Sequence, residues 1–164
     1  MFNIRVDYPS LEEEKRILAM TAKDETADLS KVLSGKAIVN LQKLVRGVPV
    51  GDYVIDYALR LVRATRPRSE EAPDFVRKMV DWGAGPRAGI ALVEGGKAIA
   101  AMDGRFSVAV DDIKKVSVPV LRHRLSTNFQ AQAEGKTSED VIGQLLEVVG
   151  EPEPPKYEKR RRMP

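Results

Sequence analysis

An apolar stripe with helical spacing constrains the fold of this chain more than any other sequence feature. The stripe consists of Val54, Tyr57, Ala58, Leu61 and Val62. Its positions follow the i, i+3, i+4, i+7, i+8 rule, which places all five side chains on one face of an α-helix. Asp52 precedes the stripe as a helix cap, so a helix is predicted from Asp52 to about Thr65. A helix with one apolar face must pack on other elements.

Start signals elsewhere predict more helices to pack against it. Ser10 and Glu13 form a capping box that opens a helix ending at about Ala22. Thr137 caps a last helix. Between them, the remaining predicted helices span Lys36–Arg46, Pro73–Trp82, Pro86 to a stop at Gly104, and Val110–Val118 before Pro119 perturbs the chain.

Two of these predictions concern packing. The helix over Lys36–Arg46 is expected to bury a stripe formed by Ile38, Leu41, Leu44 and Val45. Gly95 and Gly96 weaken the helix that Pro86 begins by about 1 kcal/mol each relative to alanine. They indicate either close packing of another helix or a break.

Strand signals are short. Phe2–Val6 alternates apolar and polar residues like a strand, and a lone strand of this kind needs a partner. Val48–Val50 and Phe106–Ala109 are strand fragments that can form a two-stranded mini-sheet. The predicted fold is therefore all-α, a helical bundle with a short N-terminal strand and such a mini-sheet.

Composition excludes several classes of protein. The chain has 164 residues, enough for one domain, and its 31% charged and 5% aromatic residues favour helices over sheets. With no cysteine and one histidine, a disulfide framework or a metal site is not expected. No signal peptide and no apolar run of about 20 residues is present, so we expect no membrane insertion and a cytoplasmic location.

One short element points to chemistry. Gly85 can serve as an N-cap, Pro86 suits the first helical position, and Arg87 follows in the first turn. The helix dipole disfavours a cation there. Arg87 therefore either points into solvent or is held for an anion such as phosphate.

Two segments imitate nucleotide-binding motifs. Gln130–Thr137 ends in Gly-Lys-Thr like a phosphate-binding loop, but it lacks the first glycine and a preceding strand, so Thr137 is better interpreted as an N-cap. Val108–Asp112 resembles an apolar strand followed by a Mg²⁺-holding aspartate. It is too short, and acidic residues are ordinarily favoured in the first turn of a helix.

Several motifs together resemble the C-terminal lid of AAA+ ATPases, specifically of the MoxR family. The resemblance covers roughly residues 1–149. The matching segments are Tyr8–Glu14, Val48–Val50, Tyr57 with Leu61–Arg66, Gly83–Ala88 and Val120–Arg124.

The resemblance assigns residue roles. Arg87 lies at the position of the sensor II arginine, which in family members reaches from the lid to the γ-phosphate of ATP held by the core of the same subunit. It implies Arg87 as a catalytic and nucleotide-binding residue, with Gly85 and Pro86 beside it; family members usually have serine where this chain has Gly85. Tyr8 and Pro9 would form the core-to-lid hinge, where related proteins often pack the adenine; the alternative is a simple strand-ending turn.

The resemblance also implies a domain organisation. Residues 1–8 would be the last strand of an absent AAA+ core with its hinge, 9–149 the helical lid, and 150–164 a disordered tail rich in proline, lysine and arginine. The Walker motifs are absent, so the chain alone should be inactive. For the full-length protein, the resemblance implies that ATP and Mg²⁺ are bound and that the subunits form a homo-oligomeric ring. It also implies chaperone-like remodelling of protein clients, including von Willebrand A domain proteins.

Alternatives remain for the basic residues. Arg122–Arg124 is a cluster favoured by a helix C-terminus or has a phosphate or inter-subunit role. Arg60, Arg63, Arg66 and Arg68 form a solvated face or a subunit interface. A different class altogether is a small helical nucleic-acid-binding regulator or an adaptor, although the near-neutral body does not favour nucleic acid. Steeply salt-dependent nucleic-acid binding would indicate the regulator, whereas a lid should bind ATP negligibly until joined to a core.

Overall fold

The computed structural model describes residues 2–22 and 29–153. These residues form two compact units: Ile4–Gln42 is one, and the other comprises the remaining described residues. In this part of the chain, no helix combines the length and apolar character needed to cross a lipid bilayer. The predicted tail lies mostly outside the described residues, and the proposed boundaries at residues 8 and 149 remain predictions.

The first unit contains helix α1, Leu11–Ala22, and most of helix α2, Gly35–Gly47. The predicted capping box opens α1: the Ser10 backbone N–H donates to Glu13 Oε2 at 2.8 Å, and the Glu13 N–H donates to Ser10 Oγ at 3.4 Å. Part of the loop predicted between the helices lies outside the described residues. Both helices thus begin and end close to their predicted positions.

The predicted burial of α2 is wrong. No residue of this helix is buried, and the side chains of Ile38, Leu41 and Leu44 are each about half exposed. Periodicity shows that a helix has an apolar face, but it does not show that the same chain covers that face.

The second unit holds the other helices. They are α3 (Asp52–Ala64), α4 (Asp74–Met79), α5 (Pro86–Met102), α6 (Val110–Leu121), α7 (Phe129–Ala133) and α8 (Ser138–Val148). The whole predicted stripe of α3 is buried. It packs in a single core with apolar side chains such as Leu92, Ile113 and Leu145. The all-α bundle is confirmed, and Gly51, not Asp52, is the N-cap of α3.

The two central glycines of α5 allow close helix packing, and the helix is not broken. A Cβ at Gly96 would lie 2.9 Å from Val108 Cγ1 and 3.0 Å from Ile113 Cδ1. A Cβ at Gly95 would lie 3.2 Å from Val116 Cγ2. Side chains of α6 and of Val108, which precedes it, therefore occupy space that only glycine leaves open. The stop at Gly104 is also confirmed, because this residue has φ +67°.

Pro119 does not end α6, which continues to Leu121. The proline removes one backbone donor, but its neighbours Val120 and Leu121 are fully buried in the core. The Arg122 N–H donates to Val118 O at 3.0 Å, so the last turn is formed. Packing outweighs the local cost here.

The mini-sheet is present, but in different segments from those predicted. Strands β1 (Val80–Trp82) and β2 (Ser126–Thr127) pair in antiparallel fashion. The predicted helix over Pro73–Trp82 consequently ends at Met79. Asn128 explains the early end, because its N–H donates to Met79 O at 2.9 Å and its side-chain amide donates to Lys78 O at 2.6 Å.

The segments predicted as strands do not form a ladder. Val48–Val50 and Phe106–Ala109 are joined by one backbone hydrogen bond, from Val108 N to Pro49 O at 3.2 Å. Phe2–Val6 is not a strand in this structure. The Asn3 N–H instead donates to Pro119 O, the carbonyl of a helical residue, at 2.8 Å. An alternating sequence forms a strand only where a second strand is available to pair with it.

Asp112 makes the stability of the second unit depend on pH. Its carboxylate is buried and accepts from Arg105 Nη1 at 2.8 Å, Arg105 Nη2 at 2.5 Å and the Ala109 N–H at 2.8 Å. Burial alone would raise the pKa of Asp112, but these hydrogen bonds outweigh it and hold the pKa below its ordinary value. The ionised carboxylate thus favours the folded state.

We expect the substitution Asp112→Asn to reduce the dependence of the free energy of unfolding on pH at acidic pH. A lowered pKa in the folded state contributes stability above the unfolded value, about pH 4, and this contribution is lost as the pH falls through the folded value. Urea unfolding at a series of pH values measures the slope. Equal slopes for the wild type and the variant would contradict the assignment, and Asp111→Asn, an exposed neighbour in the same turn, is the control.

Candidate functional site

The loop before α5 is tied to the end of α3. The Ala84 N–H donates to the buried Thr65 Oγ1 at 2.8 Å, and Arg66 Nε donates to Ala84 O at 2.9 Å. Gly83 fits between these contacts because it has no side chain: a Cβ there would lie within 2.7 Å of backbone atoms of Thr65 and Arg66. The loop is therefore held in one position relative to the core.

This loop delivers Arg87 to the start of α5. Gly85 is the N-cap with an extended backbone, Pro86 is the first helical residue, and Arg87 follows it, as predicted. The Ala88 N–H donates to Gly85 O at 2.9 Å, which closes the first turn. Arg87 is exposed, and among the described residues its side chain has no hydrogen-bond acceptor or ion-pair partner.

Arg87 lines an open groove of about 560 Å³. One wall comes from the β1–α5 loop and the start of α5, and the other from the turn that follows α6. The lining residues are Trp82, Gly83, Gly85, Pro86, Arg87, Ala88, His123, Arg124, Leu125 and Ser126. Three of these side chains are basic and none is acidic.

The turn after α6 divides the basic cluster Arg122–Arg124. Arg122 faces α8, where its Nε lies 3.5 Å from Glu139 Oε1 and its carbonyl accepts from Ser138 Oγ at 3.2 Å. His123 and Arg124 line the groove. Arg124 is held there, because its N–H donates to Leu121 O at 2.8 Å and its guanidinium donates to Val120 O. The sequence contained no signal that this turn lies beside Arg87.

His123 is sensitive to the charge of the groove. Partial desolvation lowers the pKa of His123, and the positive charges of Arg124, the N-terminal amino group of the chain and Arg122 lower it further. The protonated imidazolium is therefore disfavoured while no anion is nearby.

The groups present fit an anion and not a cation. Guanidinium groups and the N-terminus of α5 are donors that suit phosphate oxygens. Among the described residues, no group of histidine, aspartate and glutamate side chains has the arrangement of a metal site. The groups that line the groove therefore suit an anion such as phosphate.

The other predicted site residues are placed differently. Gly85 and Pro86 lie beside Arg87 in the groove. Tyr8 and Pro9 belong to the first unit, in which the Tyr8 side chain is fully exposed. Their predicted role at the adenine remains a prediction.

Neither nucleotide-motif imitation forms a phosphate site. Gly135 has φ +67° and the Lys136 N–H donates to Ala131 O at 2.8 Å, so this segment ends α7. Thr137 caps α8 as predicted, with Thr137 Oγ1 accepting from the Asp140 N–H at 3.2 Å. In the other segment, Val108–Asp112, the aspartate Asp112 is buried and forms an ion pair with Arg105.

Gly85 leaves the N-cap of α5 without a side-chain hydrogen bond. We therefore expect Gly85→Ser to raise the free energy of unfolding by about 0.3 kcal/mol, because a serine oxygen accepts from a first-turn N–H group. A Cβ meets no other atom within 4 Å at this position. Thermal unfolding measures the change, and a lower midpoint would show that the cap geometry is unsuitable.

The fold and site define a class of protein. Residues 73–145 match the AAA lid domain family, and this range includes the loop, Arg87 and the turn after α6. These residues therefore belong to the AAA lid domain family.

Individual proteins that are similar to this chain include a chaperone of the MoxR type. The chain is 32% identical over 153 residues to the chaperone MoxR1 of Mycobacterium tuberculosis, which covers 93% of this chain and 40% of the relative. It is 28% identical over 153 residues to the uncharacterized protein YeaC of Bacillus subtilis, covering 93% of this chain and 45% of that protein.

A solved structure shows the same fold. The crystal structure of a proposed ATPase from Cytophaga hutchinsonii superimposes with a TM-score of 0.80 and 27% identity, over 93% of this chain and 47% of that one. The family match and these similarities are consistent with a MoxR-type AAA+ lid, and the chain spans less than half the length of each of these proteins.

Proposed function

We propose that this chain is the sensor II lid of a MoxR-type AAA+ ATPase and couples ATP binding and hydrolysis to the remodelling of partner proteins. One observation carries the proposal. Arg87 is exposed at the start of α5, in a groove without acidic residues, and has no partner among the described residues. A guanidinium at a helix N-terminus is disfavoured by the helix dipole, and a bound anion would stabilise it through charge-assisted hydrogen bonds.

The chemistry of such a lid is electrostatic. The phosphate anion comes from a nucleotide that is bound by the AAA+ core domain of the same subunit. Arg87 then binds a terminal phosphate oxygen and stabilises the charge that develops there. Because the loop is anchored to Thr65 and Arg66, a contact at Arg87 is transmitted to α3 and the core of the second unit. The angle of the lid would in this way depend on nucleotide state.

The functions of the whole protein follow from its relatives by analogy. A MoxR-type protein would hold ATP and Mg²⁺ in its core, assemble as a homo-oligomeric ring and act on protein clients, including von Willebrand A domain proteins. The name chaperone belongs to MoxR1 of M. tuberculosis. We extend it to this chain as part of the proposal, together with a cytoplasmic location.

The nucleic-acid alternative has less support. Arg63 Nε lies 2.6 Å from Glu71 Oε1, and Arg66 is bonded to the Ala84 carbonyl, so half of the basic stripe on and after α3 has intramolecular partners. The basic tail lies outside the described residues. No specific observation favours an adaptor.

The experiment that tests the proposal is ATP turnover by a protein that joins this chain to its AAA+ core, with and without Arg87→Ala. Arg46→Ala is the matched control, because Arg46 is an exposed helical arginine outside the groove.

A further inference from the structure

The groove beside Arg87 has a second basic wall. His123 and Arg124 line it from the turn after α6, and Arg87 lines it from the start of α5. We propose that His123 and Arg124 form the second half of the anion site that Arg87 begins, so that a polyphosphate group is bound both from the start of α5 and from the turn after α6. The inference rests on the proposed function and adds two positioning residues to it.

The charge distribution supports a two-sided site. Arg87 in α5 and Arg124 in the turn after α6 supply two positive charges, and the free N–H groups at the start of α5 add a partial positive charge. No lining residue is acidic, and Glu139, the carboxylate near this turn, is paired with Arg122. Among the described residues that line it, the groove thus carries basic side chains on both walls and no carboxylate.

Arg124 is preorganised for this role. Its guanidinium donates to the Val120 carbonyl, so the side chain is held against the end of α6. A fixed cation loses less conformational entropy when it binds an anion than a free one does. Arg124 thus adds to the affinity for the anion at a low entropic cost. Its positive charge acts both on the anion and on His123.

His123 links anion binding to protons. The charged groups near it are Arg124 and Arg122 in its own turn and the N-terminal amino group of the chain. Arg87 lines the same groove, and Glu139 of α8 lies beside Arg122. Partial desolvation, the two neighbouring arginines and the N-terminal amino group lower the pKa of His123. An anion between the walls offsets the arginine charges and favours the imidazolium, so it should raise this pKa towards its ordinary value. Binding should accordingly become tighter as the pH falls.

The chain carries its own reporters for this site. It contains one histidine and one tryptophan, and both His123 and Trp82 line the groove. The imidazole NMR signal of His123 and the fluorescence of Trp82 therefore need no added label and report on this place alone.

The test is a titration of the isolated chain with inorganic pyrophosphate at constant ionic strength. We expect saturable Trp82 fluorescence changes and a rise in the pKa of His123. Arg124→Gln should weaken pyrophosphate binding about fivefold, and Arg87→Ala should weaken it by at least as much, because each removes one charge-assisted contact in a partly solvated site. Arg46→Ala should bind like the wild type, and His123→Gln should lose the pH dependence of binding.

The outcomes separate the two proposals. A pKa of His123 that does not move with pyrophosphate overturns the two-sided site, as does wild-type affinity in Arg124→Gln. If that result coincides with loss of ATP turnover in the core-linked Arg87→Ala protein, the sensor II proposal stands alone. Circular dichroism of each variant checks that the fold is retained, and Arg124→Lys, which keeps the charge, should recover most of the affinity if charge is the cause.

Discussion

ATP turnover should fall about 100-fold when Arg87 is replaced by alanine in a protein that joins this chain to its AAA+ core. The guanidinium would stabilise charge that grows on the phosphate oxygens during transfer, so its loss should reduce kcat more than it weakens ATP binding. Steady-state hydrolysis over a range of ATP concentrations, with separate measurement of nucleotide affinity, distinguishes the two effects.

Two controls make this result interpretable. Arg46→Ala removes an equally exposed arginine from α2 and should leave turnover unchanged. The thermal unfolding of the isolated Arg87→Ala chain should match that of the wild type, because the side chain has no partner among the described residues. Wild-type turnover in Arg87→Ala would contradict the sensor II assignment.

Replacing Gly83 with alanine should destabilise the chain by about 3 kcal/mol. A Cβ at this position would lie within 2.7 Å of backbone atoms of Thr65 and Arg66, which cannot move aside like the end of a flexible side chain. The loop would have to shift and lose the hydrogen bond from Ala84 N to Thr65 Oγ1, which would leave a buried donor without its acceptor. Urea unfolding of the isolated chain measures the loss.

The same loop provides the matched control for this substitution. A Cβ at Gly85 meets no atom within 4 Å, and the backbone there is extended, so Gly85→Ala should destabilise the chain by less than about 1 kcal/mol, because the poorer N-cap is partly offset by the lower entropy of the unfolded chain. Equal losses in Gly83→Ala and Gly85→Ala would show that general flexibility of the loop, and not the close approach to Thr65, explains the effect.

Helices whose start or apolar face is encoded by neighbouring residues were predicted correctly from the sequence. Ser10 with Glu13, and Thr137 with Asp140, form the predicted caps because a side-chain oxygen three residues from a free N–H group needs no distant partner. The buried stripe of α3 was predicted correctly because the helical period alone brings those residues to one face.

Features that need a distant partner were predicted less well. The strand expected at Phe2–Val6 lacks a second strand to pair with, and the mini-sheet forms between Val80–Trp82 and Ser126–Thr127. Pairing depends on which segments the helices bring together, and no local pattern records that. For the same reason, the apolar face of α2 was identified correctly and its burial was not.

The features of the candidate site also differ in whether the sequence alone could predict them. By itself, the sequence determined that Arg87 stands in the first turn of a helix, because Gly85 and Pro86 specify a helix start through their own backbone preferences. Only the tertiary structure decided that His123 and Arg124 face Arg87 across one groove while Arg122 turns to Glu139. A helix start depends on neighbouring residues, whereas a groove with two walls depends on how α5 and α6 pack, and that packing is set by the side chains of the whole core.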